Sequence, residues 1–298
     1  MSEGKGKIAV TGASGFIGRH VVSEALKSGY DVIGIDRGGP DYSHIESVKC
    51  DIRDADRIRK ALDGASYVIH LAAITSNVEF ERDMRESYDI NVMGFLNVLD
   101  AAVDSGCKKI VYASSAAVYL KESGFSEESD IDIKRQGNHY AKTKLMNEMT
   151  AGSYRDTGKI AATGLRFFNV YGEGENEKGN YASIISQFLK SSRKREKLVV
   201  YGDGTQRRDF ISVADAARIT IMALEKGSHA VYNVGTGSAI SYEEIADIID
   251  AAAKAHMPNP LSSYQHLTIA DTRRLHALIG DYRLTEVREG IKAIMRKY

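Results

Sequence analysis

The fold is decided by the stretch KIAVTGASGFIGRH, residues 7–20. Its first residues, Lys7 to Val10, form a short apolar run that predicts a buried β-strand, and residues 15–28 follow as a helix. Glycines at positions 12, 15 and 18 allow a tight turn, a close approach of a pyrophosphate to the backbone, and close packing of helix on strand. This arrangement predicts dinucleotide binding at the helix N-terminus; a glycine turn of purely structural use is the alternative.

Beyond this stretch, short apolar segments alternate with helical segments along the first two thirds of the chain. Such alternation requires right-handed crossovers and is typical of a parallel sheet with helices on both faces. We therefore predict an α/β fold, a Rossmann-type doubly wound parallel sheet with a smaller C-terminal substrate-binding lobe. The predicted strands are 7–10, 31–35, 67–71, 109–113, 160–167 and 231–234, and the predicted helices are 15–28, 54–62, 91–105, 140–154 and 213–225.

Charge and composition exclude several classes of protein. The chain carries 40 basic and 40 acidic side chains, so no positive field would hold nucleic acid or an anionic membrane. No apolar run is as long as a membrane-spanning helix, which needs about 18 residues, and no signal-peptide pattern is present at the start of the sequence. Two cysteines, Cys50 and Cys107, make neither a disulfide framework nor a zinc site. We expect a cytoplasmic protein without a metal and without nucleic-acid or membrane partners.

The end of the second predicted strand bears on the choice of cofactor. Asp36 stands where a carboxylate accepts hydrogen bonds from the hydroxyls of an adenosine ribose, and it would repel a 2′-phosphate. The sequence therefore favours NAD over NADP. The neighbouring Arg37 weakens this preference, because a guanidinium can pair with such a phosphate. Asp54 is the better candidate for a helix N-cap, which would leave Asp51 free for an adenine amino group.

A candidate catalytic set lies in the middle of the chain. Tyr140 and Lys144 are four residues apart and therefore share one helical face. A buried cation beside a phenol would lower the pKa of Tyr140 and make it a proton acceptor near neutral pH. Ser115, with Ser114 as the alternative, follows an apolar strand at the carboxyl end, where ligands bind open α/β sheets. Its hydroxyl could orient a substrate hydroxyl.

Eight motifs occur together in a fixed order. They are TGASGFIG (11–18), HLAA (70–73), NVMG (91–94), SSAAVY (114–119), YAKTK (140–144), RFFNVYG (166–172), GDGTQRRDF (202–210) and YNVG (232–235). In order and spacing they resemble the extended short-chain dehydrogenases/reductases of the nucleotide-sugar epimerase and dehydratase family. The resemblance covers nearly the whole chain.

The resemblance implies roles for individual residues. Tyr140 would be the acid/base, Lys144 would hold the nicotinamide ribose, and Ser115 would bind the sugar hydroxyl. The other NAD contacts would be Gly12, Ser14, Gly15, Phe16, Ile17, Gly18, Asp36, Arg37, Asp51, Ile52, Leu71, Ala72, Ala73, Asn91 and Phe167. The other contacts of the nucleotide sugar would be Thr75, Ser76, Asn169, Asn180, Tyr181, Val200 and Arg208.

Structural roles remain open for several of these residues. Asn91 would shape the site through helix and backbone, and Thr75 and Ser76 could instead have simple turn roles. Asn169 could cap a turn, and Arg208 could pair with the adjacent Asp209.

The resemblance also divides the chain and implies its assembly. Residues 1–170 plus 209–235 would form the NAD-binding domain, and residues 171–208 plus 236–298 the nucleotide-sugar-binding lobe. Helices 91–102 and 140–154 would pair across a two-fold axis in a homodimer. Met93, Val98, Met146 and Met149 give these helices apolar residues on more than one face.

Two alanines distinguish the branches of the family. Its dehydratases that remove a 6-hydroxyl carry an Asp–Glu pair where this chain has Ala116 and Ala117, so the sequence resembles the 4-epimerases. We expect a UDP-hexose 4-epimerase that works by transient oxidation at C4. A 4-keto-sugar reductase that uses NAD(P)H would need the same residues, and a non-catalytic dinucleotide-sensing regulator is a third hypothesis.

Three features depart from the family pattern. Leu120 replaces a glycine, His139 replaces the proline before the catalytic tyrosine, and residues 263–271 lack an arginine that usually grips the diphosphate. His139 could relay protons or could simply stand on the surface at the start of the helix, which is the commoner role.

Overall fold

The computed structural model describes residues 5–39, 42–120, 125–126, 128, 131–175, 182–258 and 266–297. The predicted sugar contacts Asn180 and Tyr181 lie outside this part of the chain. The strands are β1 Lys7–Thr11, β2 Asp31–Asp36, β3 Glu46–Lys49, β4 Tyr67–His70, β5 Lys109–Ser115, β6 Phe125–Ser126, β7 Ala161–Phe167, β8 Asn169–Tyr171, β9 Leu198–Tyr201, β10 Arg207–Ser212, β11 Val231–Val234, β12 Ala239–Ser241, β13 Lys254–Met257 and β14 Leu267–Ala270.

The α-helices are α1 Phe16–Lys27, α2 Ala55–Ala61, α3 Asn77–Arg82, α4 Met84–Tyr88, α5 Gly94–Asp104, α6 His139–Asp156, α7 Ile184–Arg193, α8 Val213–Lys226, α9 Tyr242–Asp250, α10 Arg273–Ile279 and α11 Val287–Arg296. A π-helical turn, Asp89–Met93, precedes α5, and short 3₁₀ turns lie at Ala116–Val118 and Ala251–Ala253. The predicted helix 91–105 therefore begins as a wider turn than expected.

The main sheet has the strand order β11-β7-β5-β4-β1-β2-β3. β1 pairs in parallel with β2 and β4, β2 with β3, and β4 with β5. Ile8, Ile33, Val68 and Ile110 in these strands are fully buried. Strands covered on both faces read as continuous apolar runs, which is how the sequence presents them. The predicted Rossmann-type α/β fold is confirmed.

Local side chains explain where the helices of this region begin. Asp54 caps α2 as predicted, because its carboxylate accepts the N–H of Arg57 at 3.1 Å. Asn138 caps α6 by accepting the N–H of Ala141 at 3.1 Å. This cap starts the helix immediately before Tyr140.

The chain divides into two compact units. The first comprises residues 1–118, 131–166 and 217–232, and the second comprises residues 119–130, 167–216 and 233–298. This division differs from the predicted one in giving residues 119–130, 167–170, 209–216 and 233–235 to the second unit. That unit contains a sheet of order β12-β10-β14-β6, with β8 also paired to β10, and a separate parallel pair β9–β13. In the described residues no helix has the length and apolar character needed to cross a membrane.

Candidate active site

The turn between β1 and α1 leaves no room for side chains at two positions. Gly12 has a φ of +70°, and a Cβ there would lie 2.7 Å from the backbone nitrogen of Ala72. A Cβ at Gly18 would lie 2.0 Å from the carbonyl oxygen of Gly12. The N-cap of α1, Gly15, has no capping side chain, and the N-terminus of a helix favours the binding of an anion.

Asp36 ties this turn to the end of β2. Its two carboxylate oxygens accept the backbone N–H groups of Ser14 and Gly38, each at 3.1 Å. Tyr42 adds a second tie, because its hydroxyl donates to the carbonyl of Ala13 at 2.8 Å. The turn is therefore held by Asp36 at the end of β2 and by Tyr42 beyond it, as well as by its own glycines.

A cavity of about 200 Å³ opens beside the turn. The predicted NAD-binding residues in its wall are Gly12, Gly15, Asp36, Arg37, Asp51, Ile52, Leu71, Ala72 and Ala73. Its lining does not include the predicted residues Ser14, Phe16, Ile17, Gly18, Asn91, Lys144 and Phe167. Four lining residues were not predicted: Ile35, Cys50, Ile74 and Ile90. Each of them is adjacent to a predicted contact, and that adjacency was the available signal.

Asp51 is not free, contrary to the prediction. Arg53 makes an ion pair with it, with Nη2 2.6 Å from Oδ2 and Nε 3.0 Å from Oδ1. These hydrogen bonds from Arg53 hold the pKa of the Asp51 carboxyl below its usual range. Asp51 still lies in the cavity wall, but its carboxylate already accepts hydrogen bonds from Arg53.

Asn91 is buried, and its side chain is used within the protein. Its amide accepts the N–H of Ile74 at 2.8 Å and donates to the carbonyl of Ile74 at 2.9 Å and to the hydroxyl of Thr143 at 3.2 Å. A direct NAD contact, as predicted, therefore does not fit an amide with 1% exposure. The structural alternative does fit, because Asn91 fixes a cavity-lining residue, Ile74, against α6.

Ser115, Tyr140 and Lys144 lie together beside the carboxyl end of β5. The Ser115 hydroxyl lies near enough to the phenol of Tyr140 to lower its pKa, and it accepts the N–H of Ala117 at 3.1 Å. The ammonium of Lys144 lies 5.7 Å from the centre of the Tyr140 ring and donates to the carbonyl of Ala113 at 2.9 Å. A hydroxyl, a phenol and a buried cation can together bind and deprotonate one alcohol.

The pKa of Tyr140 departs from the prediction in direction. Burial raises it, and the Ser115 hydroxyl lowers it by less. The expected net lowering by Lys144 is wrong, because the cost of desolvating the phenolate is the larger effect. Burial lowers the pKa of Lys144 to about 8, against an opposing influence of Glu148.

Ser114 is excluded as the substrate-binding serine by its own contacts. Its hydroxyl donates to Glu148 at 2.5 Å, and Arg166 donates to the same carboxylate at 2.8 Å and 2.6 Å. The Arg166 and Glu148 side chains are 2% and 10% exposed. Ser114 therefore belongs to a buried ionic network, and Ser115 is the serine that meets Tyr140.

His70 is a buried histidine of the first unit. Its Nδ1 lies 2.8 Å from the hydroxyl of Thr11, and its ring packs on Phe95 with centroids 5.1 Å apart. Burial and then Lys144 lower its pKa to about 3, so the ring is neutral at ordinary pH. Within the described ranges, no group of His, Cys, Asp and Glu side chains is placed to hold a metal ion.

His139 stands at the start of α6 and turns away from Tyr140. Its Nδ1 lies 3.1 Å from the hydroxyl of Tyr88, and the ring of Phe80 lies 6.1 Å from Tyr88 and 6.3 Å from Tyr140. The geometry favours the structural role, in which His139 anchors the helix start on α4.

Other predicted sugar contacts have structural tasks. Ser76 is buried and caps α3 by accepting the N–H of Glu79 at 3.4 Å, whereas Thr75 is exposed. In the second unit Asn169 donates to the carbonyl of Asp209 at 2.8 Å. Val200 is fully buried in the core of that unit, so the predicted sugar contact is wrong.

Arg208 is half-buried in the second unit and does not pair with Asp209. Its guanidinium lies 5.9 Å from the centre of the Tyr242 ring. Asp209 is fully buried and accepts the N–H groups of Thr236, Gly237 and Ala270. The guanidinium of Arg208 is therefore not neutralised by an ion pair with Asp209.

This combination of a glycine turn, a cavity along a parallel sheet and a Ser–Tyr–Lys set defines a dinucleotide-dependent enzyme of the short-chain dehydrogenase/reductase type. Comparison with known proteins agrees. Residues 8–235 match the model of the NAD dependent epimerase/dehydratase family, so the chain belongs to that family. Its cofactor is therefore NAD.

Relatives of different activity support this membership. A Methanocaldococcus jannaschii protein provisionally named UDP-glucose 4-epimerase is 32% identical, with 97% of each chain covered. A Bacillus cytotoxicus UDP-N-acetyl-alpha-D-glucosaminuronate decarboxylase is 32% identical, covering 82% of this chain and 79% of its own. The structure of MoeE5 in complex with UDP-glucose and NAD is 30% identical, with a TM-score of 0.86 and 98% of each chain covered.

The residues of the first unit fit the cofactor. Bare glycines leave the N-terminus of α1 accessible to a pyrophosphate, and Asp36 stands at the end of β2 where a ribose is bound in such folds. Ile52 and Leu71 supply apolar wall for a base.

Proposed function

We propose that this chain is an NAD-dependent 4-epimerase of nucleotide-linked hexoses, with a UDP-hexose as substrate. The grouping of Ser115, Tyr140 and Lys144 beside the carboxyl end of β5 carries the proposal, because two neighbouring hydroxyls next to a buried cation can bind and deprotonate one sugar hydroxyl. Ala116 and Ala117 follow directly and provide no acid for elimination of a 6-hydroxyl.

The residues divide the chemistry among them. Tyr140 takes the proton of the C4 hydroxyl, Ser115 holds the same oxygen, and Lys144 supplies a buried positive charge next to the phenol. Bound NAD supplies the acceptor, and afterwards the donor, of a hydride. The 4-keto sugar then presents its other face, and Tyr140 returns the proton. Because the hydride is returned, the reaction has no net redox change.

The second unit and the assembly complete the proposal. Arg208 binds the nucleotide sugar, and its guanidinium supplies charge for the diphosphate. The enzyme acts as a cytoplasmic homodimer that pairs through α5 and α6. Met93 of the preceding π turn and Met149 of α6 are 50% and 62% exposed, which supports an apolar contact there.

The test begins with protein purified without added cofactor. We expect near-stoichiometric NAD on denaturation, and conversion of UDP-galactose to UDP-glucose. Tyr140→Phe should keep its NAD and lose about 100-fold or more in turnover, as when a general base is removed. Tyr154→Phe, on the same helix, is the matched control and should stay active.

Other outcomes would reject the proposal. An empty protein that oxidises NADPH with a 4-keto sugar would be a reductase. A protein that interconverts no sugar linked to UDP, dTDP or GDP is not a 4-epimerase of this class. Unchanged turnover in Tyr140→Phe would remove the assigned base.

A further inference from the structure

Gln136 connects the two segments that carry the proposed catalytic hydroxyls. It lies in the loop before α6 and is only 5% exposed. Its amide nitrogen donates to the carbonyls of Ala117 at 3.1 Å and Val118 at 3.2 Å. Both acceptors belong to the 3₁₀ turn that directly follows Ser115. One neutral side chain therefore holds this turn from the side of α6.

The other end of the same amide holds the start of α6. Its oxygen accepts the N–H of Asn138 at 3.0 Å. Asn138 is the N-cap of α6 and accepts the N–H of Ala141 at 3.1 Å. Tyr140 lies between these two residues in the first turn of the helix.

The turn after β5 transmits the connection to Ser115. The N–H of Ala117 donates to the Ser115 hydroxyl at 3.1 Å, while the carbonyl of Ala117 is the acceptor for Gln136. One residue thus joins the serine to the glutamine. Both donors and the acceptor of Gln136 are engaged, so its side chain has one geometry.

We propose that Gln136 is a positioning residue that sets the contact between Ser115 and Tyr140 by fixing both of their segments to one amide. This inference rests on the proposed function for the roles of the two hydroxyls. Nothing in the spacing of the catalytic residues requires a glutamine four positions before the tyrosine. Its task is recognisable only from the three hydrogen bonds.

The kinetic test compares Gln136→Met with a matched control. Lys109, at the opposite end of β5, also donates to two backbone carbonyls, those of Ala223 and Gly227, each at 2.6 Å. We expect Gln136→Met to lower kcat by about 10- to 100-fold, the scale for a slightly misplaced group. KM for UDP-galactose and the amount of bound NAD should stay within about twofold. Lys109→Met should leave kcat unchanged.

The pH dependence gives a readout that a loss of general stability would not move. The Ser115 hydroxyl lowers the pKa of Tyr140, so weakening their contact should shift the kcat–pH profile of Gln136→Met to higher pH. Gln136→Glu keeps the shape and the acceptor but loses both donors, and it should shift in the same direction. Unshifted profiles, or equal kcat losses in Gln136→Met and Lys109→Met, would overturn the proposal.

A measurement without substrate separates this proposal from the proposed function. In protein labelled with ¹³Cζ-tyrosine, the Tyr140 resonance is the one missing from Tyr140→Phe. It should move in Gln136→Met and remain in place in Lys109→Met. If the wild type converts no UDP-galactose, this shift still decides the positioning role, and an unmoved resonance rejects it.

Discussion

Glu148→Gln tests the buried network behind the candidate catalytic set. The carboxylate accepts from Ser114 and twice from Arg166, whose side chain is 2% exposed. A glutamine can replace one oxygen, but its NH₂ group would face a donor of Arg166 and leave a buried charge uncompensated. Breaking such a pair from one side costs about 3–5 kcal/mol. We expect urea unfolding to show a loss of this size.

Two controls identify the source of the loss. Asp156→Asn removes a carboxylate from the same helix, but Asp156 is 68% exposed and pairs with the adjacent Arg155, so we expect a change below about 1 kcal/mol. Replacing both Glu148 and Arg166 by methionine should recover most of the stability, because a buried pair exchanged for apolar groups is often neutral. The reasoning is refuted if Glu148→Gln costs less than about 1 kcal/mol, or if it costs as much in an Arg166→Met background.

Two further predictions concern the first unit. Folding lowers the pKa of His70 from 6.5 to about 3. As the pH falls below 6.5, the unfolded chain therefore binds a proton at this histidine and the folded chain does not. The free energy of unfolding decreases as a result until about pH 3. Between pH 7 and pH 5 the free energy of unfolding should decrease by about 2 kcal/mol from this group. Urea unfolding of His70→Gln should not show this decrease. The same pH dependence in the variant and the wild type would contradict a buried, neutral His70. Gly18→Ala brings a Cβ within 2.0 Å of the Gly12 carbonyl, so calorimetry should show a destabilisation of about 1–3 kcal/mol with loss of co-purified NAD. Gly152→Ala, in the middle of α6, should instead be neutral or stabilising, and equal behaviour of the two variants would argue against the steric explanation.

Features that depend on neighbours in sequence were predictable. The glycine turn, the Asp54 cap and the shared face of Tyr140 and Lys144 follow from spacing alone, because a turn or helix fixes the distance between residues a few positions apart. The parallel sheet also followed from local information, since strands buried on both faces cannot alternate apolar and polar residues.

Features that depend on distant parts of the chain were not predictable. Asn91 is occupied by Ile74 and Thr143, the latter 52 residues away, and no local pattern indicates that contact. The pKa of Tyr140 is raised because the whole surrounding fold buries the phenol. The spacing of the sequence indicated only the neighbouring Lys144, whose expected effect is the smaller one. The error at Val200 differs in kind, because an apolar residue within a predicted strand is ordinarily buried: in β9 Leu198 and Val200 are buried, and Tyr201 is exposed.

The two adjacent serines show how strand geometry assigns chemistry. Side chains alternate between the faces of a strand, so Ser114 shares a face with Ile110 and Tyr112, whereas Ser115 shares the other face with Val111 and Ala113. Ser114 is 3% exposed and donates to Glu148, and Ser115, the last residue of the strand, lies near Tyr140. A one-residue shift in the register of β5 would exchange them, placing a catalytic hydroxyl against a buried carboxylate. The choice of serine therefore follows from the register of β5 in the sheet.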